Sequence, residues 1–402
     1  MEEGKKVFSL DFRGRKLSVE VGELAKQAAG SCLVRYEDTA ILCASVMSKN
    51  ATSGDFFPLT INYQEKLYSV GKIPGGFIKR EGRPTEQATL ASRLIDRPIR
   101  PLFAEGFRNE VQVISTVLSV DQDCTPEMTA LFGSSLALMI SNIPFEGPVA
   151  GVVVGHKNNE FIINPSADLI DDCDLILNVA GTLDAINMVE SGSKEVSEEL
   201  MIDAIMFGHE AIKELCDFQL KITKEVGETK VEVELAEIPE ELSNEVHEYC
   251  YDNMMGAIQI KDKIEKYAKI DEVKEETINY FTEKYQDDEN IEEIVKNVTS
   301  LVHTIEGECV RKLITHDKIR PDGRAMDEIR PLSASVDLLA RTHGSALFTR
   351  GQTQVMSIVT LGTIGDEQEL DGLDEETSKK LEEARSKQAM LVARSQMADA
   401  LT

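Results

Sequence analysis

The sequence predicts an α+β protein built from several domains. Strand-like stretches come first along the chain and helical stretches then cover them, whereas a parallel βαβ sheet would alternate the two throughout. The length of 402 residues suggests two to four domains. Hydrophobic residues make up 42% of the chain but aromatic residues only 5%, so we expect mostly aliphatic cores.

The first region carries the strand and helix signals of one α+β unit in two halves, residues 1–145 and 146–236. β-Branched and apolar runs bounded by turn residues predict strands over Lys16–Val21, Ser31–Val46, Val111–Val120, Val149–Val154, Phe161–Ile163 and Leu175–Ala180. Apolar residues at helical spacing predict helices over Thr85–Arg97, Met128–Ile140 and Glu195–Cys216. The runs at 149–154 and 161–163 are expected to pair as a hairpin.

A strongly acidic segment follows. Glu228–Glu308 holds 23 acidic and 8 basic residues, a net charge of −15 within a whole-chain net charge of −28. The segment is helical in pattern and almost free of Gly and Pro after Pro239. Glu240 and Glu241 suit the positive end of a helix dipole. We predict an all-helical domain at 238–312, most simply a solvated spacer.

An internal repeat links the first region to a third one at 315–380. Gly30–Val46 and Gly344–Thr360 both fit the pattern G-S-x-L, then five residues, Thr and an apolar run. A Gly-Arg pair precedes each copy, at Gly14 and at Gly323. Two anchors in the same order indicate a duplicated domain around the helical spacer, with 315–380 forming part of the second copy.

The remaining features bear on the compartment. The seven cysteines form no C-x-x-C pair, which is typical of a reduced, intracellular protein. The N-terminus has no apolar signal-peptide core, and no apolar run approaches the roughly 20 residues of a membrane-spanning helix. We therefore expect a cytoplasmic protein with no membrane partner.

Residues 381–402 have the pattern of an amphipathic helix.

One basic island stands out in this acidic chain. Lys72–Arg108 holds eight basic and four acidic residues, a net charge of +4. The paired Gly75 and Gly76 allow a tight turn that presents Phe77 beside the next cations. Bases stack on aromatic rings while cations take phosphates, so this combination favours single-stranded RNA. The candidate RNA-binding residues are Phe77, Lys79, Arg80, Arg83, Arg93, Arg97 and Arg100.

The spacing leaves a second interpretation of the island open. The arginines could instead form structural ion pairs with the four acidic residues of the island, since charge runs are usually solvated surfaces. The four are Glu81, Glu86, Asp96 and Glu105. A further candidate, the run Gly133-Ser134-Ser135, would suit a phosphate only at a helix N-terminus, and a packed helix start is the simpler interpretation. His303 and His316 have no metal-ligand spacing, and Asp171, Asp172 and Asp174 most simply form a solvated turn, with a metal site as the less favoured alternative.

Two stretches resemble the bacterial polynucleotide phosphorylase family. The signature loop and helix of its first RNase PH-like domain are similar to GGFIKREGRPTEQATLASRLIDRPIRPLF. The start of its second RNase PH-like domain is similar to RPDGRAMDEIRPLSASVDLLARTHGSALFTRGQTQ. The acidic segment lies where that family has its all-helical linker domain. The resemblance covers about residues 5 to 375 and implies an RNase PH-like fold of the ribosomal S5 domain 2-like type.

The resemblance also implies an activity. The family forms a trimeric ring whose pore admits single-stranded RNA, and degrades it from 3′ to 5′ by phosphorolysis with Mg²⁺, releasing nucleoside diphosphates. Inorganic phosphate is the co-substrate, and RNA-degradation machinery is an expected partner. The pore-mouth loop of the family matches Phe77, Lys79, Arg80 and Arg83. The family more often has an aromatic residue and Arg where this chain has Ile78 and Lys79, which implies one stacking ring fewer.

The family's second domain should continue with an arginine-pair phosphate segment, a serine-rich phosphate loop and metal-binding aspartates. Residues 381–402 match none of these, and the KH and S1 modules are missing as well. We therefore expect no catalytic residue and no Mg²⁺ ligand within this chain. Three hypotheses follow from that expectation: a phosphorolytic exoribonuclease, a non-catalytic RNA-binding or assembly subunit of the same fold, or a truncated gene product.

Overall fold

The computed structural model describes residues 4–52, 54, 56–75, 79–363, 366 and 372–373. Phe77 and the predicted helix at 381–402 therefore lie outside the described residues. The chain divides into two compact units, which are treated separately below. The first comprises residues 1–236 together with 367–402, and the second comprises 237–366.

The first unit contains two sheets. The strands of the larger sheet are β1 (Lys6–Phe12), β2 (Arg15–Val21), β3 (Gly30–Tyr36), β4 (Thr39–Ala51), β5 (Leu59–Gln64) and β6 (Asn109–Ser119). Their order is β1-β2-β3-β4-β6-β5, and only the β5–β6 pair is parallel. The second sheet consists of β7 (Ala150–Lys157), β8 (Glu160–Ile163), β9 (Leu175–Gly181) and β10 (Ile186–Ser193). It is antiparallel, with the order β10-β9-β7-β8.

The described residues of this unit also form four α-helices: α1 (Glu86–Ile99), α2 (Pro126–Ile140), α3 (Ala167–Ile170) and α4 (Glu198–Val226). The predicted α+β class and the predicted β7–β8 hairpin are confirmed. The predicted run 31–46 is in fact two strands, because Glu37 and Asp38 form a tight turn between β3 and β4.

Helix α2 is the centre of the first unit. Every residue from Met128 to Ile140 is buried, and the helix packs on β3 and β4 of one sheet and on β7 of the other. None of these residues is charged, so the helix can be enclosed without burying an unpaired charge.

The predicted helix start at the Gly-Ser-Ser run is wrong, because α2 begins at Pro126 and holds that run in its interior. The hydroxyl of Ser134 lies 2.8 Å from that of Ser115, and Ser135 accepts a hydrogen bond from the Val149 N–H at 3.0 Å. These buried serines therefore do not form a phosphate cradle.

Strand β3 begins in close contact with the end of α2. A Cβ atom built on Gly30 would lie 2.1 Å from the backbone oxygen of Ala137. The hydroxyl of Ser45, which is paired with Gly30 across the sheet, donates to that same oxygen at 3.0 Å. Glycine is therefore required at position 30 by the close approach of the helix to the sheet.

Residues 227–236, which follow α4, contact the end of α2 through the side chain of Lys230. Its ammonium group donates to the carbonyl oxygens of Leu138, Met139 and Ser141 at 2.7, 3.0 and 2.8 Å. A cation suits the negative end of a helix dipole and satisfies carbonyls that have no partner within the helix. Burial nevertheless lowers the pKa of Lys230 from 10.5 to about 8.

We predict that Lys230→Met destabilises the first unit by about 1–3 kcal/mol at neutral pH, because three buried carbonyls lose their donor. Since burial lowers the pKa of Lys230 to about 8, the unfolded chain holds more protons than the folded one between about pH 8 and 10.5. The stability contributed by Lys230 should therefore rise with pH across that window.

Denaturant unfolding of both proteins across a pH series checks this prediction. The difference in unfolding free energy between wild type and Lys230→Met should increase above about pH 8. A difference that stays constant from neutral pH to pH 10.5 would contradict a desolvated ammonium at this site.

The second unit begins with three helices, α5 (Glu240–Ile258), α6 (Lys263–Lys284) and α7 (Ile291–Thr315), which share a hydrophobic core of their own. The side chain of Asp262 caps α6 by accepting from the N–H groups of Ile264 and Glu265. A three-stranded antiparallel sheet follows, formed by β11 (Leu332–Val336), β12 (Gly344–Arg350) and β13 (Thr353–Val359).

The two copies of the sequence repeat have the same hairpin. Tyr36 pairs with Thr39 in one copy and Arg350 pairs with Thr353 in the other, so each loop has two residues. The first loop residue has a left-handed backbone in both, with φ of 48° at Glu37 and 60° at Gly351. The two copies of the repeat therefore share the same loop length and turn geometry.

The hairpins differ in what covers them. Val34 and Ile41 face α2 and are fully buried. Their counterparts Phe348 and Val355 are 38% and 56% exposed. The Gly344 position is correspondingly open, since a Cβ atom there would find its nearest neighbour, Val359, at 3.5 Å.

All seven cysteines are buried and free. Burial raises the pKa of the Cys43, Cys124 and Cys216 thiols to about 12 and that of Cys309 to about 11. The thiols are packed as small hydrophobic groups.

Candidate nucleic-acid interface

The basic loop before α1 is held in place by its own acidic and hydroxyl side chains. Glu81 accepts hydrogen bonds from the Lys66 ammonium and from the Leu67 N–H, both at 3.1 Å. The bond from Lys66 is the main reason why the pKa of Glu81 is lowered. Thr85 caps α1 by accepting from the Ala88 N–H at 2.9 Å. These contacts anchor the loop at Glu81, between Arg80 and Arg83, and at its junction with α1.

The cations of this loop point into solvent. Lys79, Arg80 and Arg83 are exposed, and Lys79 has a left-handed backbone with φ of 52°. None of the three forms an ion pair with a residue in the described part of the chain. Their charge is therefore available to an anionic ligand.

Arg93 and Arg97 of α1 differ in role from Arg100, the residue that follows the helix. Arg93 and Arg97 are exposed and form no ion pair within the described ranges. Arg100 instead binds both oxygens of Asp96, at 2.6 and 2.8 Å. Its guanidinium also donates to the carbonyls of Phe57 and Leu59, at 3.0 and 3.2 Å, and lies 5.6 Å from the Phe57 ring centroid.

The ion-pair interpretation thus applies to Arg100, which we leave out of the proposed RNA contacts. The other three acidic residues of the island form no ion pair with its arginines within the described part of the chain. Glu81 pairs with Lys66 rather than with an arginine, and Asp96 is occupied by Arg100. Two of the island's four acidic residues, Glu81 and Asp96, are therefore paired, while five of its cations form no ion pair within the described residues: Lys79, Arg80, Arg83, Arg93 and Arg97.

A cleft of about 1450 Å³ runs along α1. Arg93 and Arg97 line it, together with polar side chains from β5 and β9 that include Asn62, Gln64 and Asn178. Glu127 and Glu190 also reach its wall, so the cleft is mixed in charge rather than uniformly basic. Its arginine side suits phosphates and its amide side chains suit the polar edges of bases.

Tyr68 is an aromatic candidate that the sequence analysis missed. It lies in a short 3-10 helix, Leu67–Val70, and is 59% exposed. Its neighbour Leu67 is tied to Glu81 of the basic loop. The signal available in the sequence was a tyrosine a few residues before a basic, glycine-rich loop, but only the Glu81 contact places the two together.

The described residues lack two features that would bear on function. They contain no group of three His, Cys, Asp or Glu side chains placed to hold a metal ion. In the same part of the chain, no helix combines the length and the apolar character needed to cross a membrane.

Comparison with known proteins agrees with this architecture. The profile described as 3′ exoribonuclease family, domain 1, matches residues 13–144, and that of domain 2 of the same family matches residues 147–211. The profile described as polyribonucleotide nucleotidyltransferase, RNA binding domain, matches residues 241–325. The fold and these three matches therefore define a protein of the RNase PH-like class.

Full-length relatives narrow the class to a family. The polyribonucleotide nucleotidyltransferase of Bacillus licheniformis is 58% identical over 380 residues, which cover 94% of this chain and 53% of that protein. The enzyme of the same name from Bacillus subtilis is 57% identical over the same length, with the same coverage. The chain belongs to the polyribonucleotide nucleotidyltransferase family and spans about half the length of these relatives.

Among solved structures, the crystal structure of rice (Oryza sativa) Rrp46 matches with a TM-score of 0.43 and 15% identity. The match covers 56% of this chain and 97% of the rice protein.

Proposed function

We propose that this chain binds single-stranded RNA for 3′-to-5′ phosphorolysis, which releases nucleoside diphosphates. The observation that carries the proposal is a set of exposed cations along the loop and α1 that form no ion pair within the described residues, while Glu81 and Asp96 are paired with Lys66 and Arg100. Arginine suits this task because its planar guanidinium binds phosphate through two parallel hydrogen bonds.

The binding path we propose starts at the loop and continues into the cleft. Phe77, Lys79, Arg80 and Arg83 meet the strand first, and Arg93 and Arg97 hold its phosphates along α1. Tyr68 offers a second ring for base stacking beside the loop, which would offset the presence of Ile78 where the family more often has an aromatic residue. The cytoplasm is the proposed compartment, a homotrimer the proposed assembly, and RNA-degradation machinery a further proposed partner.

The chemistry of the reaction follows from the family. Inorganic phosphate attacks the terminal phosphodiester, so the protein mainly positions the two reactants and stabilises charge. Mg²⁺ would supply part of that charge stabilisation. The described residues offer no ligand set for the ion, and we assign no step of the reaction to a residue of this chain.

The net charge of −28 does not oppose binding at the loop. At physiological salt, charges farther apart than a Debye length of about 8 Å are mostly screened. The local net charge of +4 in Lys72–Arg108 therefore sets the field that RNA meets.

We predict that Arg80→Ala combined with Arg83→Ala weakens RNA binding, because two phosphate contacts are lost. The slope of the logarithm of the binding constant against the logarithm of the salt concentration should become shallower by up to about 1.4. Phe77→Ala should instead weaken binding by about 1–3 kcal/mol with an unchanged salt slope, since stacking releases no counterions. Fluorescence anisotropy with a labelled oligonucleotide across a salt series separates the two effects.

The matched control is Arg311→Ala combined with Arg341→Ala, which removes two exposed arginines outside the island. It should bind RNA like the wild type at each salt concentration. If the Arg80 and Arg83 variant also behaves like the wild type, the loop arginines are not phosphate ligands and the proposed path is wrong.

A further inference from the structure

The second unit carries an exposed aromatic pair. Tyr249 on α5 and Tyr280 on α6 stack with ring centroids 4.2 Å apart and an interplanar angle of 13°. Both rings meet the fully buried Phe281 edge-on, at 5.8 and 5.2 Å. The pair is therefore fixed in position by the core of this unit.

Much of this pair nevertheless remains in solvent. Tyr249 is 39% exposed and Tyr280 is 44% exposed, while the core beneath them is closed by Phe281 and its neighbours. Rigid, partly exposed tyrosines provide contact area with little loss of conformational entropy, which is why they are frequent in the centres of protein interfaces.

Carboxylates surround the pair. Glu245 and Asp252 lie four residues before and three residues after Tyr249, and Glu276 and Glu283 lie at the same distances from Tyr280. Residues at these spacings share a helix face. Asp252, Glu276 and Glu283 are exposed and form no ion pair within the described residues.

The same unit already holds a cation by this combination of groups. The Lys284 ammonium forms an ion pair with Glu245 and lies 5.6 Å and 5.2 Å from the ring centroids of Phe281 and Tyr285. In this intramolecular example, a carboxylate of α5 and aromatic rings at the end of α6 bind one ammonium group together.

We propose that the Tyr249–Tyr280 surface docks an arginine-bearing segment of a protein partner. A guanidinium can stack on a tyrosine ring and reach a neighbouring carboxylate at the same time. Phosphates are disfavoured on this face because the exposed carboxylates of Asp252, Glu276 and Glu283 share it with the two rings, although the RNA-binding-domain profile covers residues 241–325. The proposal concerns a partner other than RNA and is independent of the proposed phosphorolysis.

The test uses the full chain and a fluorescent Arg-Gly-Gly repeat peptide as the probe. Tyr249→Leu combined with Tyr280→Leu keeps apolar side chains over Phe281 but removes both π systems. We expect this variant to bind the peptide about five- to tenfold more weakly than the wild type, from the loss of two cation–π contacts. Circular dichroism confirms that the helices are retained.

Tyr267→Leu provides the matched control. Tyr267 lies on the same helix, α6, and is 53% exposed, but it has no stacked ring among the described residues. This variant should bind the peptide within about twofold of the wild type, because its substitution leaves the net charge unchanged and removes no ring from the pair.

Three results would overturn the proposal. The first is equal binding of the Arg peptide by the wild type and the double variant. The second is equal affinity of the wild type for a Lys-Gly-Gly peptide of the same length, which would indicate attraction by net charge alone. The third is a loss of oligonucleotide affinity in the double variant without loss of peptide affinity, which would make the surface an RNA platform.

Discussion

Gly30→Ala is expected to destabilise the first unit by about 3 kcal/mol or more, at the upper end of what overpacking costs in a core. The added methyl group would lie 2.1 Å from the Ala137 oxygen and 2.8 Å from the Ser141 Cβ. A backbone oxygen cannot rotate away as a flexible side chain would, so β3 and the end of α2 must separate. Hydrogen-exchange mass spectrometry of peptides from α2 reads the unfolding free energy of this unit.

Gly344→Ala is the matched control, since Gly344 occupies the same position in the second copy of the repeat. Its nearest neighbour would be at 3.5 Å, an ordinary van der Waals contact. The Gly344→Ala variant should change the unfolding free energy of the second unit by less than about 0.5 kcal/mol. Equal losses in the two variants would mean that the repeat needs glycine for a reason shared by both hairpins, and not because α2 approaches one of them.

Arg100→Ala is expected to lower the stability of the first unit by about 2 kcal/mol, because Asp96 loses a bidentate partner and two carbonyls lose a charged donor. The loss should be smaller than the 3–5 kcal/mol or so of a fully buried ion pair. The reason is that the Arg100 and Asp96 side chains remain 42% and 25% exposed. Denaturant unfolding measures the effect.

Arg93 and Arg97, on the helix that Arg100 follows, provide the comparison. Arg93→Ala and Arg97→Ala should each leave stability within about 0.5 kcal/mol of the wild type while weakening RNA binding. Arg100→Ala should show the reverse pattern. If Arg100→Ala is fully stable and loses RNA affinity as Arg97→Ala does, Arg100 faces the ligand and its contacts with Asp96 are incidental.

Elements with strong local signals were predicted well from the sequence. The predicted strand at Lys16–Val21 matches β2, and the β7–β8 hairpin was placed within a few residues. The repeat was recognisable because β3 and β12 begin with the same Gly-Ser pair and end at the same two-residue turn. In each of these cases the residues that determine the element are neighbours in the chain.

Elements that depend on distant partners were missed or cut short. Strand β5, Leu59–Gln64, is defined by its parallel pairing with β6, about fifty residues later. Helix α4 continues to Val226, ten residues beyond its predicted end at Cys216, because Phe218 and Ile222 extend its buried face. Strands β1, β10 and β11 were likewise not predicted.

The candidate site shows the same contrast between features set by neighbouring residues and features set by distant ones. The basic island and its helix were evident from composition and spacing. The separate role of Arg100 was not, because it is determined by the Phe57 and Leu59 carbonyls some forty residues earlier in the chain. The engagement of Glu81 by Lys66, which leaves Arg80 and Arg83 open, is also a tertiary contact.

The buried thiols give this protein an internal reporter of its own opening. Thiol reagents attack the thiolate, and burial both shields these sulfur atoms and, by raising their pKa, keeps them protonated. Alkylation must therefore wait for the surrounding structure to open. Cys32, Cys43, Cys124, Cys173 and Cys216 lie in the first unit, and Cys250 and Cys309 lie in the second. Peptide-resolved labelling kinetics thus record the opening of each unit separately, without any engineered probe.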